Sequence, residues 1–133
     1  MLKTLTPNLL VDDMDRTIDF YTNVLRFEIL ATVPEAAPFN WAMLKRDGVS
    51  LMFQTRASLS EEIPGFATVP VGGSQTFYID VDQVEPLYQS LKGRVTVVQD
   101  LHTAFYGARE FAFRDCNGYV LVFAETAAAG EPG

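Results

Sequence analysis

At 133 residues, 48% of them hydrophobic and 20% charged, the chain has the size and composition of one globular domain with a buried core. A net charge of −7 argues against nucleic acid, whose phosphates need a basic face; it suits solubility and is compatible with a cationic ligand. No run of about 18 apolar residues is present to span a membrane. The single cysteine, Cys116, excludes an internal disulfide and a multi-cysteine metal site, and the N-terminus carries no export signal, so the expected location is the cytoplasm.

Thr4 to Val11 alternates as a strand does, with Leu5, Leu9 and Val11 on one side and Thr4, Thr6, Asn8 and Leu10 on the other. Asp12 is expected to cap a helix whose buried stripe is Met14, Ile18, Tyr21 and Leu25. Strands are expected over 27–34, 39–45 and 49–54, the last two joined by the hairpin signal Asp47-Gly48. Thr55 to Ser74 reads as a linker, in which Ser58 and Glu61 have capping-box spacing and Pro64-Gly65 and Gly72-Gly73 mark loop.

The second half repeats the first. A strand over 75–81 leads into a helix with the stripe Val84, Leu87, Tyr88 and Leu91, where Pro86 is tolerated in the first turn. Strands follow over 95–101, 108–114 and 119–125, with Asn117-Gly118 as the last turn and Ala127 to Gly133 as a frayed tail. Individual residues recur at an offset of 70: Thr6 as Thr76, Asp12 as Asp82, Gly48 as Gly118 and Phe53 as Phe123. The expected fold is therefore α+β, with two tandem βαβββ units (4–54 and 75–125) in a single domain over 1–126. The two units form a curled mixed sheet with a cleft.

Each helix covers one face of its sheet and leaves the other face for a ligand. Alternation puts Thr6 and Asn8, with Thr76 and Tyr78, on the open face, together with Met52, Gln54, Val122 and Ala124. Two-residue hairpin loops set Trp41 opposite Gln54, Met43 opposite Met52, Phe111 opposite Ala124 and Phe113 opposite Val122; a bulged turn would reverse those third-strand assignments. Phe39, Trp41, Tyr78, Phe105, Tyr106, Phe111 and Phe113 border this surface, either as sheet core or as flat contacts for a ligand. Arg109 is read either as an anchor for an anionic or carbonyl group or, with Glu110, as part of a pair at the sheet margin. Asp80 is the acid-base candidate on the first strand of the second unit, or else a solvated strand-end residue. His102, the only histidine, reads as a surface or hydrogen-bonded residue and Cys116 as an inert turn cysteine.

The opening stretch Asn8-Leu-Leu-Val-Asp-Asp-Met-Asp-Arg-Thr-Ile-Asp-Phe-Tyr-Thr-Asn-Val-Leu-Arg-Phe27, the strand Phe77-Tyr-Ile-Asp-Val-Asp-Gln-Val84 and the run Gly107-Ala-Arg-Glu-Phe-Ala-Phe-Arg-Asp-Cys-Asn-Gly-Tyr-Val-Leu-Val-Phe123 resemble the vicinal oxygen chelate superfamily of glyoxalases, bleomycin resistance proteins and extradiol dioxygenases. The third stretch is closest to the bleomycin-resistance branch. One departure is Arg26, where the family usually has glycine after the first helix.

The resemblance implies a divalent metal held by His, Gln and Glu on the first and last strands of the units. Strand alignment puts Thr6, Met52, Thr76 and Val122 at those positions, and two hydroxyls, a thioether and a hydrocarbon cannot hold it. No metal, cofactor or catalytic residue is therefore assigned.

The resemblance instead implies a metal-free homodimer that sequesters a bulky or planar small molecule, and the acidic net charge would suit a cationic one. The ligand-binding residues are Thr6, Asn8, Phe39, Trp41, Met52, Gln54, Thr76, Tyr78, Tyr106, Arg109 and Phe113. The alternatives are a lyase or isomerase with an atypical site and a non-catalytic interaction domain. The linker is long enough for the two units to pair within one chain or swap between chains.

Overall fold

The computed structural model describes residues 1–126, and the expected tail at 127–133 lies outside the described residues. The chain divides into two compact units, Met1–Val71 and a second beginning at Gly72. In the first, β1 (Asn8–Val11), α1 (Met14–Asp19), β2 (Glu28–Val33), β3 (Trp41–Arg46) and β4 (Val49–Thr55) are followed by α2 (Arg56–Glu62) and a short 3-10 turn (Pro64–Ala67). The sheet order is β1-β4-β3-β2, parallel between β1 and β4 and antiparallel elsewhere. In the second unit, β5 (Thr76–Asp80), α3 (Val84–Leu91), β6 (Thr96–Thr103), β7 (Arg109–Arg114) and β8 (Val120–Glu125) build the matching order β5-β8-β7-β6. The fold is α+β, with two mixed four-stranded sheets from tandem βαβββ units.

The cap of α1 is Asp13 and not Asp12: the Asp13 carboxylate accepts the Arg16 N–H at 3.0 Å, satisfying an otherwise orphaned first-turn donor. Asp12 has a different partner, the Arg56 guanidinium at 2.8 Å, whose Nη1 also donates to the carbonyls of Phe66 (3.0 Å) and Val69 (2.7 Å). One side chain thus ties the end of β1 to the segment after α2. This contact holds the Asp12 carboxyl below its ordinary range, chiefly through the hydrogen bond from Arg56.

After Asp19 the helix widens into a π-helical turn, Phe20–Val24. It brings Tyr21 fully inside, 4.7 Å from the Phe53 ring and 5.4 Å from Phe27. Ala42, Leu44, Leu51 and Phe53 complete this helix-covered face. In the second unit Val84 and Leu91 of α3 are buried, and Tyr88 sets its ring edge-on to Phe111 at 5.0 Å.

The stretch read as linker contains a full helix. Its cap is Thr55, which accepts from the Ser58 N–H at 3.3 Å, so α2 starts before the expected Ser58 cap and follows β4 directly.

Arg26 sits at φ 62°. A Cβ is crowded against the following carbonyl in that left-handed conformation, which glycine occupies freely. Arg26→Gly is therefore expected to stabilise the protein by about 0.5–1 kcal/mol, the strain relief exceeding the added freedom of the unfolded chain. Urea denaturation would show the midpoint rising at constant m-value.

Candidate functional site

In the first unit Arg46 pairs with Val49 across a two-residue Asp47-Gly48 loop. Trp41 therefore stands opposite Gln54 and Met43 opposite Met52, on the face away from α1, as the strand count requires. Trp41, Met43 and Met52 are half-buried there, and Thr6 and Phe39 are half-buried just outside β1 and β3. Gln54 is buried and engaged: its carbonyl accepts from Asn8 Nδ2 at 2.8 Å, and its amide donates to Ser58 Oγ at 3.0 Å and Glu62 Oε1 at 3.2 Å. Gln54 and Asn8 thus bind α2 to one end of this face, and the apolar side chains form its remainder.

The second unit corrects two assignments. Phe111 pairs with Phe123 and Phe113 with Leu121, so both phenylalanines point to the helix-covered side. Phe113 is fully buried, its ring 5.8 Å from Phe111 and 5.2 Å from Phe123, and belongs to the core and not to a ligand surface. The cause is the hairpin loop, which holds three residues, Cys116, Asn117 and Gly118. The Asp115 N–H donates to the Tyr119 carbonyl at 2.8 Å, and the Asp115 carboxylate accepts from the Asn117 and Tyr119 N–H groups, each at 2.8 Å. Gly118 supplies the required positive φ, 92°. Relative to a two-residue loop the pairing shifts by one, so every β7 side chain changes face.

Arg109 is the second correction. It lies on the same side as Phe111 and Phe113, with Nη2 3.7 Å from Glu85 Oε1 of α3 and Nη1 donating to Thr103 Oγ1 at 3.4 Å. It is a sheet-margin residue and not a ligand anchor on the open face. Asp80 is exposed at its strand end, where it accepts from the Thr126 hydroxyl at 3.1 Å.

The same shift brings Glu110 to the open face, opposite Ala124 on β8 and His102 on β6. Glu110 is only 7% exposed. Its Oε2 accepts from the Tyr106 hydroxyl at 2.6 Å and, more weakly, from the Tyr78 hydroxyl at 3.4 Å. Its Oε1 lies 3.8 Å from His102 Nε2. The other ring nitrogen, Nδ1, is 2.8 Å from the Asp100 carbonyl, and this contact assigns the Nδ1 proton. The Tyr78 and Tyr106 rings are each about half exposed above this group (51% and 50%), Tyr78 standing opposite Val122, while Thr76 is exposed and Phe105 is fully so.

The structure therefore unites Tyr78 and Tyr106, both expected at the ligand, with Glu110 and His102, which strand alternation alone does not place there. The signal for Glu110 is an aspartate three residues before Gly118, the mark of a three-residue loop; His102 reaches it through the bulged pairing of β6 with β7.

At the positions where the fold would place its metal, Met52 stands opposite Asn8 and Val122 opposite Tyr78, and Thr6 lies outside the sheet. These donors do not fit a divalent metal. Among the described residues no three His, Cys, Asp or Glu side chains are grouped to hold one.

The Tyr106 hydroxyl keeps its proton well above the ordinary tyrosine range, first because it donates to Glu110 and then because of burial and Tyr78. Above about pH 10 the unfolded chain gives up this proton before the folded one does, so the contribution is intact below that pH and is lost as pH rises further. Absorbance titration is expected to show a late-forming phenolate that disappears in Tyr106→Phe and forms at lower pH in Glu110→Gln.

Residues 3–123 match the family model of the Glyoxalase/Bleomycin resistance protein/Dioxygenase superfamily. No match is found among curated proteins. Three solved structures are similar in fold. A protein of unknown function from Agrobacterium tumefaciens str. C58 is 20% identical, with TM-score 0.78 and 96% of each chain covered. A glyoxalase/bleomycin resistance protein/dioxygenase from Nocardioides is 19% identical, with TM-score 0.79, covering 100% of this chain and 89% of that one. TioX from Micromonospora sp. ML1 is 22% identical, with TM-score 0.73, covering 94% and 99%. With two tandem βαβββ units and the family model matched across nearly the whole chain, this protein belongs to the glyoxalase/bleomycin resistance protein/dioxygenase superfamily.

Proposed function

We propose that the protein is a metal-free small-molecule-binding protein of the bleomycin-resistance type, a cytoplasmic homodimer that sequesters a bulky or planar ligand by burial and stacking. The observation that carries this reading is the lining of the two open sheet faces. Trp41, Met43 and Met52 on one, and Tyr78, Tyr106 and Val122 on the other, offer flat or polarizable apolar surface where the fold would otherwise supply chelating side chains. Thr6, Asn8, Phe39 and Thr76 border the same surfaces. Pairing with a second copy is supported by Ile29, Leu30 and Val33 of the edge strand β2, which are large, apolar and about half exposed.

One observation favours a second reading, a lyase or isomerase with an atypical site. Glu110 and His102 stand 3.8 Å apart, a carboxylate and an imidazole able to exchange a proton with a bound substrate.

Titration calorimetry with bleomycin, on protein pretreated with EDTA, tests the first reading. Saturable binding insensitive to the chelator is expected, weakened by about two- to tenfold in Trp41→Ala, the loss of one aromatic stacking contact. Binding that requires added metal would reject the reading. No binding would remove bleomycin as the ligand, and failure of simple naphthyl compounds as well would remove the binding class.

A further inference from the structure

We infer that Glu110 is the seat for a protonated amine carried by the ligand, with the Tyr78 and Tyr106 rings as its walls; this rests on the small-molecule-binding reading above. The carboxylate is 7% exposed, and a charge so far removed from water needs strong partners. Among the described residues its two hydrogen bonds come from the phenol hydroxyls, and both fall on Oε2. The neighbouring cation, Arg109, is directed to the other side of the sheet, toward Glu85.

The second oxygen, Oε1, faces His102 Nε2 across 3.8 Å, beyond hydrogen-bond length. With the Nδ1 proton directed at the Asp100 carbonyl, Nε2 is the ring nitrogen turned to Oε1, and no hydrogen bond joins the two. In the Nδ1–H tautomer both Oε1 and Nε2 accept, and the group that bridges the gap between them is a donor with at least two N–H bonds. A primary ammonium supplies them together with a positive charge beside the carboxylate. It also gains from the half-exposed faces of two tyrosine rings, which attract cations through their quadrupoles. A quaternary ammonium offers no N–H and an alcohol offers one donor and no charge. An anion would be repelled by Glu110 and by the net charge of −7.

The test compares 1-naphthylmethylamine with 1-naphthylmethanol, which share a planar body and differ at the group placed on Glu110. Calorimetry on the wild-type protein is expected to show the amine bound about tenfold more tightly than the alcohol. The advantage should shrink in high salt and disappear in Glu110→Gln. The His102 Hε1 resonance, followed by NMR in the wild-type protein, should move with the amine and stay in place with the alcohol, a readout independent of how the variant folds.

Equal affinities would overturn the ammonium seat and leave planar-ligand binding standing, as would a folded Glu110→Gln variant that keeps the preference. An unmoved His102 resonance at saturating amine would place the cation elsewhere and also overturn it. Failure of both probes to bind at millimolar concentration would overturn the binding reading and the seat together.

Discussion

In the β7–β8 hairpin the Asp115 carboxylate takes the backbone N–H groups of Asn117 and Tyr119, each at 2.8 Å, and so closes a loop of three residues. Because side chains alternate along a strand, the number of residues in that loop decides the face of all six residues of β7. It sends Phe111 and Phe113 into a ring cluster with Phe123 and Tyr88. It also sends Glu110 to the face where Tyr78, Tyr106 and His102 gather. A core of packed aromatic rings and a buried carboxylate are two consequences of one turn.

The two units are not copies at this point. Along β8 the repeat keeps its offset of 70, so that Gln54 corresponds to Ala124. The residue paired with Gln54 is Trp41, and the residue paired with Ala124 is Glu110, one position before the Phe111 that the sequence repeat aligns with Trp41. The first unit thus presents an indole where the second presents a carboxylate. The first also covers one end of its open face with α2, held by Gln54 through Ser58 and Glu62, whereas the second places the Tyr106 loop over Glu110. A duplicated scaffold carries two chemically different surfaces.

Most of the fold was legible in the sequence because its signals are local. The period-two strands, the stripes of Met14–Tyr21–Leu25 and Val84–Leu91, and the Asp47-Gly48 turn each act over a few residues. The departure at Arg26 was legible too, and the left-handed backbone there shows what glycine would have relieved. What escaped depended on partners distant in sequence or on a turn of unexpected length. Asp12 was read as a cap and is bound instead by Arg56, 44 residues away. Asn117-Gly118 alone reads as a two-residue loop, and the third residue shows only when Asp115 is counted as the acceptor that closes it. Glu110 and His102 acquire significance only once β6 and β7 are paired.

The loop length and the face of β7 are tested most directly by side-chain NOEs across the second sheet. Contacts from the Phe111 ring to Tyr88 and Phe123, and from the Glu110 side chain to Tyr106, are the predicted result. NOEs from Phe113 to the Val122 methyls and from Phe111 to Ala124, with Glu110 against α3, would contradict it.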